Sequence, residues 1–358
     1  MRIAINGLAC TPTMTGIGRV TLQIARALAR AAPEDEFLLF LPKDGPRDPA
    51  PGLDNLAAVR TDVTLRQPLQ SALFEEFELP RRLRGAHVDL YYAPSYLLPA
   101  FPGARAEVVC VHDLAWRLYP RTKSALFRAY MNARLPAALR RARRIVCVSR
   151  ATADDLGLLY PEAERGKVRV VHNGVDLDVF RPGNGTVEGH DPFIAVVGNF
   201  DPRKNLATLL SAFPIFRARL RPHHLVLVGP GAPPGERPRA VDVVGYLDEQ
   251  PLADLYRRAS IVVQPSLYEG FGLPILEAMA CGTPVACADI RVFREVAGDC
   301  ADYFDPRQAP AIADAMEWLV ADDARQAELA RKGPERARGF SWELAARKLL
   351  AVFVEALA

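Results

Sequence analysis

The stretch "SIVVQPSLYEGFGLPILEAMACGTPVACA", residues 260–288, decides the fold. Its opening "SIVVQPS" (260–266) carries the β-branched run Ile261–Val263 and is short enough for one strand. "LYEGFG" (267–272) then supplies a turn, with Gly270 and Gly272 on either side of Phe271. Pro274 suits the first position of a helix, because its missing amide hydrogen would have no partner there anyway. The helical run stops at Gly282, and "TPVACA" (283–288) is a second strand-like run. A strand, a short helix and a strand in succession are the signature of a parallel sheet with helices on its faces. Two acids, Glu269 and Glu277, bracket the turn.

The same alternation extends in both directions. Upstream, "RIAIN" (2–6), "EFLLFL" (36–41), "VDLYYA" (88–93), "EVVCVH" (107–112) and "RIVCVS" (144–149) are nearly continuous apolar runs, with helical patterns at 17–31, 68–84 and 123–141. Strands apolar on both faces are buried on both faces. The stretch "HNGVDLDVFRPGNGTVEGHDP", 172–192, is rich in Gly, Pro, Asn and Asp and reads as a domain boundary. Beyond it the pattern restarts with "FIAVVGN" (193–199), a helix near 204–218, "HLVLVG" (224–229), "VDVVG" (241–245) and the opening stretch. The expectation is an α/β protein of two Rossmann-like domains, their parallel sheets facing across a cleft. The first domain covers 1–178 and the second 179–340; the amphipathic tail, 341–358, is a single helix. Ligands of such sheets bind beyond the carboxyl ends of the strands.

Bulk properties exclude several classes. The chain has 358 residues, 50% hydrophobic and 24% charged, enough for two cores. A net charge of +3 implies neither nucleic acid nor an acidic partner. Six scattered cysteines form no C-x-x-C pair and read as buried apolar residues of a reducing compartment. No apolar run reaches the roughly 18 residues that span a bilayer, and the N-terminal "MRIAING" lacks a signal peptide's long apolar region. A cytoplasmic location is expected.

Two further strand-to-helix junctions suit phosphate. In "TGIGRV" (15–20), Gly16 and Gly18 would let backbone amides at a helix start approach a ligand closely, or simply make a tight turn. The third glycine of the dinucleotide fingerprint is absent, which disfavours a nicotinamide site. In "VVGNFDPRKNL" (196–206), Arg203 and Lys204 fall at a helix start. Cations there oppose the helix dipole, so the placement costs free energy unless an anion arrives. They are either a solvated basic pair or a diphosphate clamp. Glu277 falls in the first turn of its helix, where the dipole favours a carboxylate whatever the function. Glu269 lies on the preceding loop, where a carboxylate can accept two sugar hydroxyls. Glu277 could accept those of a ribose, so the pair would hold opposite ends of one ligand.

This constellation resembles the family 4 retaining glycosyltransferases of the GT-B fold, over nearly the whole chain. Glu269 and Glu277 stand at the family's E-x7-E spacing within "PSLYEGFGLPILEAMACGTPV". Supporting matches are "TGIGR", "VHDLAW" (111–116), "VSRATADDL" (148–156), "HNGVD" (172–176), "GNFDPRKNL" (198–206), "VGYL" (244–247) and "FSWELAA" (340–346). The last match implies a C-terminal helix that returns to the N-terminal domain. That domain would bind the acceptor, and the second the donor. The resemblance implies that Glu269 binds the donor sugar's hydroxyls and Glu277 the ribose. It makes Lys204 and Arg203 diphosphate ligands, with Gly16 and Gly18 in a loop over the diphosphate and Asn199 in the diphosphate loop. Gly270, Phe271, Gly272 and Leu273 become the backbone around sugar and phosphates, and Gly245, Tyr246 and Leu247 the seat of the base. His112 becomes a histidine near the reacting carbon; read without the resemblance, it is an ordinary hydrogen-bonded residue at a strand end. One departure stands out: "GNFDP" offers Asn199 and Phe200 where many relatives carry an arginine, which shifts the charge onto Arg203 and Lys204.

The implied reaction moves a hexose from a nucleotide diphosphate sugar to a hydroxyl of a glycan or glycolipid, with anomeric retention. "TGIGR" and "HDLAW" resemble the mannosyltransferase branch and favour GDP-mannose over UDP-sugars, GDP-fucose or dTDP-rhamnose. No D-x-D element sits at a strand end, so neither metal nor cofactor is expected. The alternatives are a nucleotide-sugar epimerase of the same architecture and a catalytically silent binding module. Finally, residues 114–153 hold ten Lys/Arg and no Asp/Glu. The helical pattern within them reads as a basic amphipathic helix able to touch anionic membrane, or as a solvated face.

Overall fold

The computed structural model describes residues 1–12, 14, 16–64, 68–183, 191–220, 223–231 and 239–358. Thr15 of the glycine loop and residues 184–190 of the boundary stretch lie outside the described residues. The chain divides into two compact units. One comprises Met1–Leu114, Ser124–Gly174 and Trp342–Ala358; the other comprises Ala115–Lys123 and Val175–Ser341. The division falls at Gly174/Val175, and the nine residues Ala115–Lys123 leave the first unit to pack with the second.

In the first unit the strands are β1 (Arg2–Asn6), β2 (Glu36–Leu41), β3 (Leu56–Arg60), β4 (Leu90–Ala93), β5 (Ala106–Val111), β6 (Arg144–Cys147) and β7 (Val168–Val170). Among the described residues they form one sheet in the order β3-β2-β1-β4-β5-β6-β7, with every pairing parallel. The central strands are buried along almost their whole length, β5 completely. Helix Gly16–Ala31 packs on the helix Trp342–Leu357 that closes the chain. Phe353 of the latter packs against Tyr92 of β4 with the rings tilted and their centroids 5.4 Å apart, and Glu355 accepts from Arg144 (3.0 Å) and Arg169 (2.9 Å). The helical stretch 68–85 contains a π-helical turn at Phe74–Glu78.

The second unit holds β8 (Phe193–Val197), β9 (His224–Val228), β10 (Val241–Val244), β11 (Ile261–Gln264), β12 (Val285–Ala288) and β13 (Asp302–Phe304). Their order is β10-β9-β8-β11-β12-β13, again parallel throughout. In each unit the order reverses once, between β1 and β4 and between β8 and β11. Such switch points open a crevice at the carboxyl edge because successive connections leave in opposite directions.

Helix Ala125–Arg141 does not have the amphipathic form read from the sequence. Met131, Leu135, Ala138 and Leu139 are buried, but Leu126 (81% exposed), Phe127 and Tyr130 face outward among the arginines, so apolar and basic side chains share one surface. Several of the cations are already paired: Arg134 with Glu76 at 2.6 Å, Arg141 with Glu107 at 2.7 Å and Arg144 with Glu355. No helix among the described residues is long and apolar enough to cross a membrane.

Candidate active site

The switch point of the second sheet collects most of the residues singled out above. After β8 the chain passes through Gly198, exposed Asn199 and Phe200 to a single 3-10 turn, Pro202–Lys204. Asp201 caps this turn, its carboxylate accepting from the Arg203 amide at 3.1 Å, and Pro202 occupies its first position. Asn205 follows in the left-handed conformation (φ 59°), which asparagine tolerates better than most residues, and starts helix Leu206–Arg219. Arg203 and Lys204 therefore sit in a separate turn ahead of the helix rather than in its first turn. The dipole penalty expected of them is correspondingly smaller.

The anion that compensates them is in the chain itself. Glu269, on the loop after neighbouring β11, accepts from Lys204 Nζ at 2.5 Å and Ser266 Oγ at 2.8 Å through Oε1, and from Arg203 Nη1 at 2.9 Å through Oε2. Arg203 Nη1 also donates to the Tyr268 carbonyl, and the Leu267 amide donates to the Arg203 carbonyl at 2.8 Å. The two loops are thus tied by main chain and side chain together. Glu269, Lys204 and Ser266 are all buried. Burial alone would raise the Glu269 pKa, but the charges of Lys204 and Arg203 overcome it and hold the carboxyl at about 2. The described donors fill three of the roughly four lone-pair sites of this carboxylate, leaving room for one more hydroxyl rather than two. With Asp201 and Lys123, which lie 3.8 Å apart, the cluster carries one positive charge in excess.

Glu277 differs from its reading in the sequence. Helix Leu273–Ala280 begins after Gly272, so Glu277 is its fifth residue and lies beyond the first turn. The dipole does not account for it. Its side chain is 2% exposed and accepts from Tyr256 Oη at 3.1 Å. Gly272 adopts φ 108°, and a Cβ there would lie 2.8 Å from the Phe293 ring, so backbone and packing both demand glycine. Phe271 buries its ring against Phe340, and Leu273 is half-buried at the helix start. Gly270 lies buried between Glu269 and Phe271. Gly245, Tyr246 and Leu247 follow β10, on the same edge but beyond β9; Tyr246 is exposed.

The remaining candidates belong to the first unit. His112 follows β5 and is buried; its Nε2 lies 2.6 Å from the Pro94 carbonyl. A carbonyl only accepts, so Nε2 carries the proton. Burial lowers the ring's pKa, against smaller opposing effects of Pro94 and Asp113, and the neutral ring leaves Nδ1 as an acceptor. Tyr96 packs edge-on against it at 5.8 Å. Gly18 is explained by packing, since a Cβ there would lie 2.3 Å from the Ala9 carbonyl oxygen. At Gly16 a Cβ would meet nothing within 4 Å, so its being glycine has no packing cause.

Sequence reasoning passed over Ser266, Tyr256 and Asp201. Ser266 lay inside the quoted stretch, but only the β8–β11 adjacency reveals that it and Lys204 share Glu269. Among the described residues no group of three His, Cys, Asp or Glu gathers as a metal site would require.

Comparison with known proteins gives the following. Residues 14–179 match the family described as "Glycosyltransferase Family 4", and residues 182–336 the family described as "Glycosyl transferases group 1". "O-antigen chain mannosyltransferase B" of Escherichia coli is 30% identical over 367 residues, covering 92% of this chain and 93% of that protein. "D-inositol 3-phosphate glycosyltransferase" of Streptomyces avermitilis is 33% identical over 245 residues, and the match spans 60% of this chain and 52% of that protein. Among solved structures, sucrose-phosphate synthase from Thermosynechococcus elongatus superposes with a TM-score of 0.78 at 24% identity, over 99% of this chain and 98% of that one. Anabaena HepE, in complex with UDP and glucose, gives 0.74 at 18% identity over 99% of each chain. At these identities the two structures speak for the fold alone.

Proposed function

The chain belongs to the family 4 glycosyltransferases of the GT-B fold, and on that footing we propose that it transfers mannose from GDP-mannose to a hydroxyl of a glycan or glycolipid, with retention at the anomeric carbon. The observation that carries this reading is the Glu269–Lys204–Arg203 cluster at the β8/β11 switch point, with Glu269 and Lys204 buried and positive charge in excess. Glu269, ionised throughout the physiological range, accepts from a sugar hydroxyl at its remaining site. As the bond between the anomeric carbon and the phosphate oxygen breaks, charge builds on the leaving diphosphate. Lys204 and Arg203 lie in a turn that a diphosphate would reach, and fixed cations in a dry site stabilise such charge strongly. The acceptor oxygen bonds to the anomeric carbon on the face the diphosphate leaves, and its proton passes to a departing phosphate oxygen. Glu277 holds the ribose. These cations supply the charge a metal ion would otherwise supply, so turnover is proposed to need none. The choice of GDP-mannose follows the Escherichia coli relative's name.

The test is ¹H NMR of the purified protein with GDP-mannose, UDP-glucose, GDP-fucose and dTDP-rhamnose in turn, with water or a simple glycoside as acceptor. The expected result is GDP release from GDP-mannose and a product that first appears as the donor's anomer. Preference for another donor would overturn the sugar assignment. Conversion of the donor to an isomer without transfer would establish an epimerase instead.

Contact with an anionic membrane from the cytoplasmic side is a second proposal. It is favoured by the exposure of Leu126, Phe127 and Tyr130 beside Arg128 on helix Ala125–Arg141.

A further inference from the structure

Residues Ala115–Lys123 follow His112 in sequence by three positions, yet they pack with the second unit. They form a short helix, Ala115–Leu118, and a 3-10 turn, Pro120–Thr122, and Trp116 is buried. The segment holds itself together: the Tyr119 amide donates to the Ala115 carbonyl at 2.7 Å and Thr122 Oγ1 to the Tyr119 carbonyl at 2.8 Å.

Contacts of Tyr119, Pro120–Thr122 and Lys123 fall on both arms of the Glu269 cluster. Tyr119 Oη donates to the Leu267 carbonyl at 3.1 Å, and its ring stacks on Tyr268 at 5.6 Å and 29°. Those two residues immediately precede Glu269. On the other arm, Lys123 Nζ lies 3.8 Å from Asp201, whose carboxylate caps the turn that presents Arg203 and Lys204. The turn Pro120–Thr122 itself packs against Pro202–Lys204.

We propose that Ala115–Lys123 is a strap that fixes the two loops against each other, with Tyr119 and Lys123 as positioning residues for Glu269, Arg203 and Lys204. Glu269 can hold its ion pairs only while the loops after β8 and β11 keep their separation, and the strap bridges them from outside. Tyr119 contributes most, because an aromatic stack and a hydrogen bond to a carbonyl are directional. Lys123 is 42% exposed at 3.8 Å and contributes less. The effect of the strap on rate rests on the transferase reading above; its effect on the loops does not.

The experiment has two arms. Hydrogen exchange is followed at the Leu267 amide and its neighbours in wild type, Tyr119→Phe, Tyr119→Leu and Lys123→Met. Loss of a stack and a hydrogen bond predicts about tenfold faster exchange at residues 266–270 in Tyr119→Leu. A smaller rise is expected in Tyr119→Phe, with β12 unchanged in both. Exchange at 266–270 that matches wild type in the variants overturns the strap, and Tyr119→Phe decides the matter should Tyr119→Leu fail to fold. In the second arm, GDP release from GDP-mannose is measured. Tyr119→Phe is expected to lower kcat several-fold in the wild-type background and to have a smaller effect beside Glu269→Gln, where only Arg203 and Lys204 remain to be positioned. Equal losses in both backgrounds overturn the positioning role. A wild type that releases no GDP counts against the transferase reading, while the exchange arm still decides the strap.

Discussion

Replacing Glu269 by Gln removes one negative charge from between buried Lys204 and half-buried Arg203 and keeps the shape of the side chain. Gln mimics the protonated carboxyl, so the cost follows from how strongly the fold prefers the ion. Lys204 and Arg203 hold the carboxyl at about 2 against a reference of 4.5. At about 1.4 kcal/mol for each tenfold in proton affinity, the fold favours the ionised form by about 3 kcal/mol. Breaking a buried pair by removing one partner typically costs about 3–5 kcal/mol, which agrees. For a unit of this size, 1 kcal/mol moves Tm by roughly 2–4 °C, so Glu269→Gln should lower it by about 6–12 °C at pH 7. The sign with pH is fixed. A carboxyl whose folded pKa is depressed contributes fully above its unfolded value and loses that contribution as pH falls toward its folded value. The gap between wild type and variant should therefore be complete above about pH 5 and close as pH falls from 4.5 toward 2. Urea melts of both proteins across that range give the comparison. The same substitution frees Lys204 and Arg203 from their internal anion, so affinity for GDP should hold or rise while sugar transfer falls. Equal stability at pH 7, a gap that persists at pH 2, or a collapse of GDP binding would refute the reasoning.

Gly16→Ala should leave stability unchanged or slightly higher, because its Cβ meets nothing, yet weaken GDP binding if a diphosphate approaches that backbone; calorimetry with a melt separates the two. Gly18→Ala should cost about 1–3 kcal/mol of stability through its clash with the Ala9 carbonyl. Excess EDTA should leave turnover intact, and loss restored by Mn²⁺ or Mg²⁺ would contradict the charge assignment to Lys204 and Arg203. The protein should sediment with phosphatidylglycerol vesicles at low salt and release at high salt. Leu126→Ser, altering a side chain that is 81% exposed, should weaken that binding without lowering Tm.

Legibility in the sequence followed burial. Strands buried on both faces, such as β1, β5, β8 and β11, stand out as apolar runs. The strands that escaped detection, β3, β7 and β13, all lie at sheet edges. There a strand is short and part-exposed, as in "LAAVR", "VRV" and "DYF", and leaves no continuous apolar signal. Both glutamates were legible through their spacing around the turn. The pairing of Glu269 with Lys204 was not, because it spans 65 residues and needs β8 beside β11. Glu277 lies one residue deeper in its helix than the sequence reading had it, past the first turn, because the helix begins at Leu273 rather than at Pro274. The strap was hidden for a similar reason: residues 115–123 follow β5 in sequence and read as part of the first domain.

The central claim is that the β8/β11 crevice binds a nucleoside diphosphate through its ribose and phosphates. Calorimetric titration of wild type and Glu277→Gln with GDP tests it most directly, with melting temperatures measured alongside. A lost charged hydrogen bond is worth roughly 1.5–3 kcal/mol, or about one to two decades in affinity. Stoichiometric GDP binding to wild type, weakened by that amount in a folded Glu277→Gln, is the result expected. Failure of wild type to bind GDP, UDP or dTDP, or equal affinity in the folded variant, would contradict the account.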